Sequence, residues 1–223
     1  MTTYLKKDKI LIFGSDSDLA KSIFNIFREE YELIGFSRNT NNKTFKNIKC
    51  NFQSKKNLIL KTKGILTKKN NIRSIILLVG SFEKSKNNYD KDKSNDFIIT
   101  KNIFEVITSL LIKRKINLNI ITITSMDSIF PNINSYKYSI GKSSISTLIK
   151  LYKKTYQKNK ISFIEIAPGP INTRMRKNKK ENKKNILQPE DIAKVCFMLS
   201  SANTNISFDT IKIYPKKLSY NFY

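Results

Sequence analysis

Tyr138 and Lys142 lie four residues apart in "YKYSIGKSS" (136–144). On a helix that spacing puts both side chains on one face, a turn apart. An ammonium beside a phenol favours the phenolate, so the pair could take a proton from an alcohol or return one to a carbonyl. Ser125 closes the apolar stretch "LNIITITS" (118–125), where its hydroxyl could converge with the pair. The same nine residues also hold Gly141-Lys142-Ser143, the tail of a phosphate-binding P-loop. That loop needs its first glycine where Tyr136 stands, and it must leave a strand directly. Here "DSIFPNINS" (127–135) intervenes. The P-loop reading fails.

The elements around these residues alternate. "KILIFG" (9–14) reads as a buried strand, followed by a helix with Leu19, Ile23, Ile26 and Phe27 on one face. "ELIGFS" (32–37), "NIKCNF" (47–52) and "SIILLVG" (74–80) read as strands two to four. A helix over 96–115 carries Ile99, Ile103, Phe104, Ile107 and Leu111 in register. "LNIITITS" is strand five, 136–158 a long helix, "ISFIEIA" (161–167) strand six, 189–201 a helix and "TIKIY" (210–214) strand seven. Strands without polar alternation, separated by helices, predict a parallel sheet covered on both faces. Right-handed crossovers make it doubly wound, with ligands at the carboxyl ends of the strands.

Composition narrows the chemistry. The chain has no histidine, which removes Ser-His-Asp and Cys-His nucleophiles and His-ligated metals. Cys50 and Cys196 are far apart, so no metal site or redox pair is expected, and isolated thiols suit a reducing cytoplasm. Lys and Arg outnumber Asp and Glu, 42 to 17, for a formal charge of +25. Alone, that excess points to nucleic acid or an anionic membrane. However, the basic residues are dispersed and mostly Lys, in a chain rich in the residues that A/T-rich codons encode. They read as solvated surface, and no nucleic-acid partner is expected. The apolar run near the start is too short for a signal-peptide core, and none such as "IILLV" could span a bilayer. No membrane association is expected, and the expected location is cytoplasmic.

Taken in order, "GSDSDLA" (14–20), "LLVG" (77–80), "IITKNI" (98–103), "ITSMDS" (123–128), "YSIGK" (138–142), "APGPINT" (167–173) and "QPEDIAKVCFMLSS" (188–201) resemble the motifs of the short-chain dehydrogenase/reductase family. The resemblance covers nearly the whole chain. It implies one Rossmann-type α/β domain over 1–223 and an NAD(P)-dependent oxidoreductase interconverting a carbonyl and a secondary alcohol. Tyr138 would be general acid and base. Lys142 would support it and hydrogen-bond the nicotinamide ribose, Ser125 would hold the substrate oxygen, and Asn102 would anchor a water leading from Lys142 to solvent.

The cofactor side departs from the family pattern. Gly14 is present, but Asp18 and Ala20 replace the second and third glycines of Gly-x-x-x-Gly-x-Gly. Ser15 and Ser17 could offer hydroxyls to the dinucleotide, with Leu19 in the same turn. At the end of strand two, Ser37-Arg38 offers a cation and no carboxylate, which favours NADP and leaves NAD open. Asn51 takes the adenine-side position, and Gly80 ends the fourth-strand motif. Pro168, Gly169, Ile171 and Thr173 match the segment that contacts the nicotinamide. The basic run over 174–187 reads either as a substrate lid attracting an anionic small molecule or as a solvated charge run. The family implies a homodimer or homotetramer. A nucleotide-binding sensor or scaffold without catalysis stands as the alternative.

Overall fold

The computed structural model describes residues 7–39, 46–80, 95–174, 185–203 and 205–216. Seven strands form one all-parallel sheet: β1 (Lys9–Phe13), β2 (Glu32–Ser37), β3 (Lys46–Lys49), β4 (Ile72–Leu77), β5 (Leu118–Ile123), β6 (Ile161–Pro168) and β7 (Thr210–Ile213). Their order is β3-β2-β1-β4-β5-β6-β7. The chain therefore runs outward from β1 to β3, then returns past β1 to start β4. That reversal opens a crevice between the carboxyl ends of β1 and β4, the place where a doubly wound sheet takes a ligand. The α/β fold expected from the sequence is the fold observed.

Alternate residues of each strand feed two cores. Leu11, Phe13, Phe36, Ile75, Leu77, Ile120 and Phe163 face one side, under α2 (Lys55–Thr62), α3 (Asn95–Arg114) and α4 (Tyr136–Thr155). Ile10, Ile12, Ile76, Ile121, Ile164 and Ile166 face the other, under α1 (Asp18–Phe27) and α5 (Pro189–Ser201). Each of these side chains contributes roughly 1.5–3 kcal/mol by leaving water, so both faces hold the strand ends rigidly. The periodic residues on α3 (Ile99, Ile103, Phe104, Ile107 and Leu111) are all buried.

Two details differ from the sequence reading. The third strand stops at Lys49 rather than reaching residue 52, because Cys50 and Phe52 are buried in the turn that follows it. That turn leads into α2, which was not expected. Only Leu58 and Thr62 are buried on this short helix, so no apolar stripe announces it. It starts at Ser54, whose hydroxyl accepts from the Asn57 amide. Elsewhere the strands and helices stop within about three residues of their expected limits, the usual looseness of element ends.

Candidate functional site

The first turn of the crevice depends on Gly14. Its φ is +94°, and a Cβ there would come within 3.0 Å of the Leu78 carbonyl carbon and oxygen. Only glycine lets the backbone leave β1 this way while lying against the end of β4. The turn hooks onto β2, with the Gly14 and Ser15 amides both donating to the Phe36 carbonyl. Ser15 is fully buried and its hydroxyl donates to Asn47 Oδ1 at 2.7 Å. Ser17 caps α1, its Oγ accepting from the Ala20 amide. Both serines thus support the turn from within. Leu19 and Ala20 are buried in the core beneath α1.

Asp18, the anion in the place of a glycine, does not stand alone. Its Oδ2 accepts from the Arg174 amide at 2.7 Å, and its Oδ1 lies 2.7 Å from Arg174 Nε. The same guanidinium donates to the Asp16 carbonyl at 3.0 Å. Arg174 thereby ties the segment after β6 to the start of α1 and offsets the carboxylate's charge. Most of the basic run expected to form a lid, residues 175–184, lies outside the described residues.

On the outer strands, Ser37 is buried and donates to the Asn39 carbonyl and weakly to Asn47. Arg38 is exposed, with no hydrogen bond or ion pair among the described residues. Asn51 lies beyond β3, where its side chain accepts from the Gln53 amide. Asn47, not singled out from the sequence, links this end: it accepts from both Ser15 and Ser37. Its signal would have been a polar side chain in the middle of a short strand.

Across the crevice, α4 carries Tyr138 and Lys142 on one face as expected. Lys142 Nζ lies 5.4 Å from the centroid of the Tyr138 ring, close enough for a favourable cation–π contact. Tyr138 is half-buried and Lys142 is 4% exposed. Gly80 provides the space: a Cβ there would sit 2.7 Å from Lys142 Nζ. The ammonium meets Asp96 Oδ2, from the first turn of α3, at 3.6 Å. Asp96 was not expected from the sequence. No local pattern connects it with a lysine on the next helix.

Ser125 follows β5 and is half-buried, its Oγ accepting from the Asp127 amide at 3.2 Å. Its carbonyl accepts from the Ser128 hydroxyl, and the Ser128 carbonyl accepts from Ser143 on α4. That chain fastens the Ser125 turn to the helix bearing Tyr138. Beneath it, the buried Glu165 accepts from Thr124, Ser146 and Thr210, joining β5, α4 and β7 to β6. Asn102 is buried on α3, but its amide donates to the Phe52 and Gln53 carbonyls. Those bonds direct it to the turn before α2, not to Lys142.

Pro168 ends β6 opposite Ile213, and Gly169 follows it, its amide donating to the Ile213 carbonyl. Ile171 pairs with Leu187, and the Thr173 amide donates to the Ile171 carbonyl. Residues 170–174 are thus pinned against 186–188 at the mouth of the crevice. The cysteines take no part. Burial pushes the Cys50 thiol up to about 11 and the Cys196 thiol up to about 12, which keeps both unreactive at neutral pH. No helix among the described residues is long and apolar enough to cross a membrane.

A family model described as short chain dehydrogenase matches residues 29–184. That match begins beyond α1, so the altered glycine turn lies outside it. No curated protein sequence matches the chain. Among solved structures, serine dehydrogenase from Escherichia coli superposes with a TM-score of 0.76 at 14% identity, over 95% of this chain and 100% of that one. A short chain dehydrogenase from Burkholderia cenocepacia in complex with NADP gives 0.76 at 12% identity, over 93% and 88%. The 3-ketoacyl-(acyl-carrier-protein) reductase from Brucella melitensis, complexed with NADH, gives 0.77 at 14%, over 96% and 99%. At such identities the likeness is one of fold.

Proposed function

Since the chain belongs to the short-chain dehydrogenase family, we propose that it interconverts a carbonyl and a secondary alcohol, using NADP in preference to NAD. One observation carries the reading: a nearly buried lysine sits over Gly80 and beside Tyr138, at the crevice where a doubly wound sheet takes its ligand. The residues fit a dinucleotide, because Gly14, at a φ of +94° against Leu78, makes the tight turn after β1 and Gly80 gives Lys142 room to reach the crevice. Gly14, Ser17, Asp18 and Leu19 would frame the diphosphate. Arg38 would face the 2′-phosphate and Asn51 the adenine. Pro168, Gly169, Ile171 and Thr173 would line the nicotinamide end. The bound nicotinamide would supply or accept the hydride.

The rest of the chemistry belongs to the protein. Tyr138 donates its phenolic proton to the carbonyl oxygen during reduction and takes it back during oxidation. Lys142 stabilises the phenolate left behind, and Ser125 holds the substrate oxygen within reach. The complexes of similar folds with NADP and NADH support the cofactor. Arg38, exposed and with no carboxylate beside it among the described residues, supports the phosphorylated form.

Self-association has support as well. Tyr136, Ile140 and Leu151 are exposed along α4 and, with Ile133, line a groove of about 630 Å³ that has no charged residue among its described lining. In a chain of net charge +25, this is where two copies meet without opposing charges, so we assign the groove to a second copy. Sedimentation should show a dimer or tetramer, and a monomer at high micromolar concentration would refute it. The two unpaired buried thiols suit the cytoplasm.

The deciding experiment is NADPH titration followed by a carbonyl-substrate screen, comparing wild type with Tyr138→Phe. The variant should bind NADPH equally and turn over substrate ~10²–10⁴-fold more slowly. Equal oxidation of NADPH by both proteins with a good substrate would overturn the assignment.

A further inference from the structure

We propose that Asp96 is the positioning residue for Lys142, a carboxylate that fixes the ammonium over Gly80 and balances its charge. The proposal rests on the function proposed above, because it gives Asp96 a part in preparing the Tyr138–Lys142 pair. Three elements meet at this point. Lys142 comes from α4, Asp96 from the first turn of α3, and Gly80 from the end of β4. The two charged side chains are 5% and 12% exposed and lie 3.6 Å apart. An ammonium so far removed from water needs a counter-charge, since a buried unpaired charge is strongly destabilising. Asp96 supplies that charge from a helix N-terminus, where the backbone dipole favours an anion.

Gly80 makes the meeting possible. A Cβ at that position would lie 2.7 Å from Lys142 Nζ and 3.6 Å from Asp96 Oδ2. The slot between the strand end and the two helices therefore accommodates the ion pair because no side chain occupies it. Lys142 has three donors. Engaging one direction with Asp96 restricts where the others point and keeps the ammonium at its distance from the Tyr138 ring. The family resemblance gave Asn102 the role of acting on Lys142 from α3. In this chain the Asn102 amide is bound to the Phe52 and Gln53 carbonyls, and the residue of α3 that meets the lysine is Asp96.

The test reads Lys142 itself in the full chain. Wild type, Asp96→Asn and Asp96→Glu are treated with acetic anhydride without nucleotide, and acetylation at Lys142 is followed by mass spectrometry. Carbonyl-reduction kinetics are measured in parallel. With its counter-charge removed, Lys142 should be acetylated about tenfold faster in Asp96→Asn. The kcat should fall about tenfold, while KM for the carbonyl substrate changes less than about twofold. Asp96→Glu should move both quantities back toward wild type. Should Asp96→Asn fail to fold, Asp96→Ser removes the same charge with a residue suited to a helix start and is judged identically. Equal acetylation of Lys142 in wild type and the uncharged variant overturns the proposal, whatever the kinetics show. Failure of the oxidoreductase reading shows separately, as turnover insensitive to Tyr138→Phe and no protection of Lys142 by NADPH.

Discussion

The crevice between β1 and β4 has two sides, assembled in different ways. On the β4–β6 side, the proposed chemistry comes from residues on one helix face and from a serine turn stitched to that helix through Ser128 and Ser143. The residue types are those that the family resemblance leads one to expect. On the β1–β3 side, Asp18 stands where the family resemblance leads one to expect a glycine, and Ser37-Arg38 where it leads one to expect an acidic residue. There the structure holds together through contacts between distant parts of the chain, Arg174 with Asp18 and Ser15 with Asn47. A reacting group must be placed to within a fraction of an ångström. A phosphate-binding turn needs only a suitable backbone and a suitable net charge, so its side chains can be exchanged in compensating pairs.

The two glycines of the crevice test that contrast most severely. At Gly80 an added methyl meets the far end of a flexible side chain, Lys142 Nζ, which can swing away. Gly80→Ala should therefore lower the thermal midpoint less than Gly14→Ala does, while turnover falls about a hundredfold, the cost of misplacing a reacting group by about 1 Å. At Gly14 the methyl meets backbone atoms of Leu78 at 3.0 Å, from a φ of +94°. Neither can yield cheaply, so Gly14→Ala should cost about 1–3 kcal/mol of stability. Thermal denaturation combined with steady-state kinetics checks both. If Gly80→Ala retained full turnover, the claim of tight placement on the β4–β6 side would fail.

That contrast also explains what could be read from the sequence. Among the described residues, all seven strands and four of the five helices were legible, as short apolar runs or as faces of helical period. Tyr138 and Lys142 were legible because helical geometry alone brings residues four apart together. Helix α2 was not, with Leu58 and Thr62 as its only buried residues. Asp96 escaped notice because its partner is on another helix, and helix–helix packing leaves no local pattern. Arg174 was hidden in "RMRKNKKENKKN", where one cation looks like the next until a carboxylate is found opposite it.

A milder test concerns Arg38. It is exposed, with no partner among the described residues, at the end of β2. A charge-assisted pair with a 2′-phosphate is worth about 1.5–3 kcal/mol. Arg38→Asp should accordingly reduce the preference for NADPH over NADH by ten- to a hundredfold, as about 1.4 kcal/mol corresponds to tenfold. The ratio of kcat/KM values for the two cofactors measures it. An unchanged ratio would remove Arg38 from cofactor recognition and leave the β1–β3 side without a basis for discrimination.

The smallest effect concerns the exchanged pair itself. If Arg174 serves to neutralise Asp18 beside the diphosphate, removing it should matter only while Asp18 is present. Arg174→Ala should weaken NADPH binding about tenfold in the wild-type background, by leaving an anion facing an anion. In an Asp18→Gly background the same substitution should have little effect, and Asp18→Gly alone should tighten binding. Four dissociation constants, measured by NADPH fluorescence at one salt concentration, close the cycle. The coupling between the two positions should be on the order of 1–2 kcal/mol, well above the few tenths expected of independent sites. Strictly additive effects would mean that Arg174 contacts the nucleotide or its own loop and that Asp18 is tolerated for another reason. A coupled pair would show that an anion can stand in the glycine turn because a cation from beyond β6 answers it.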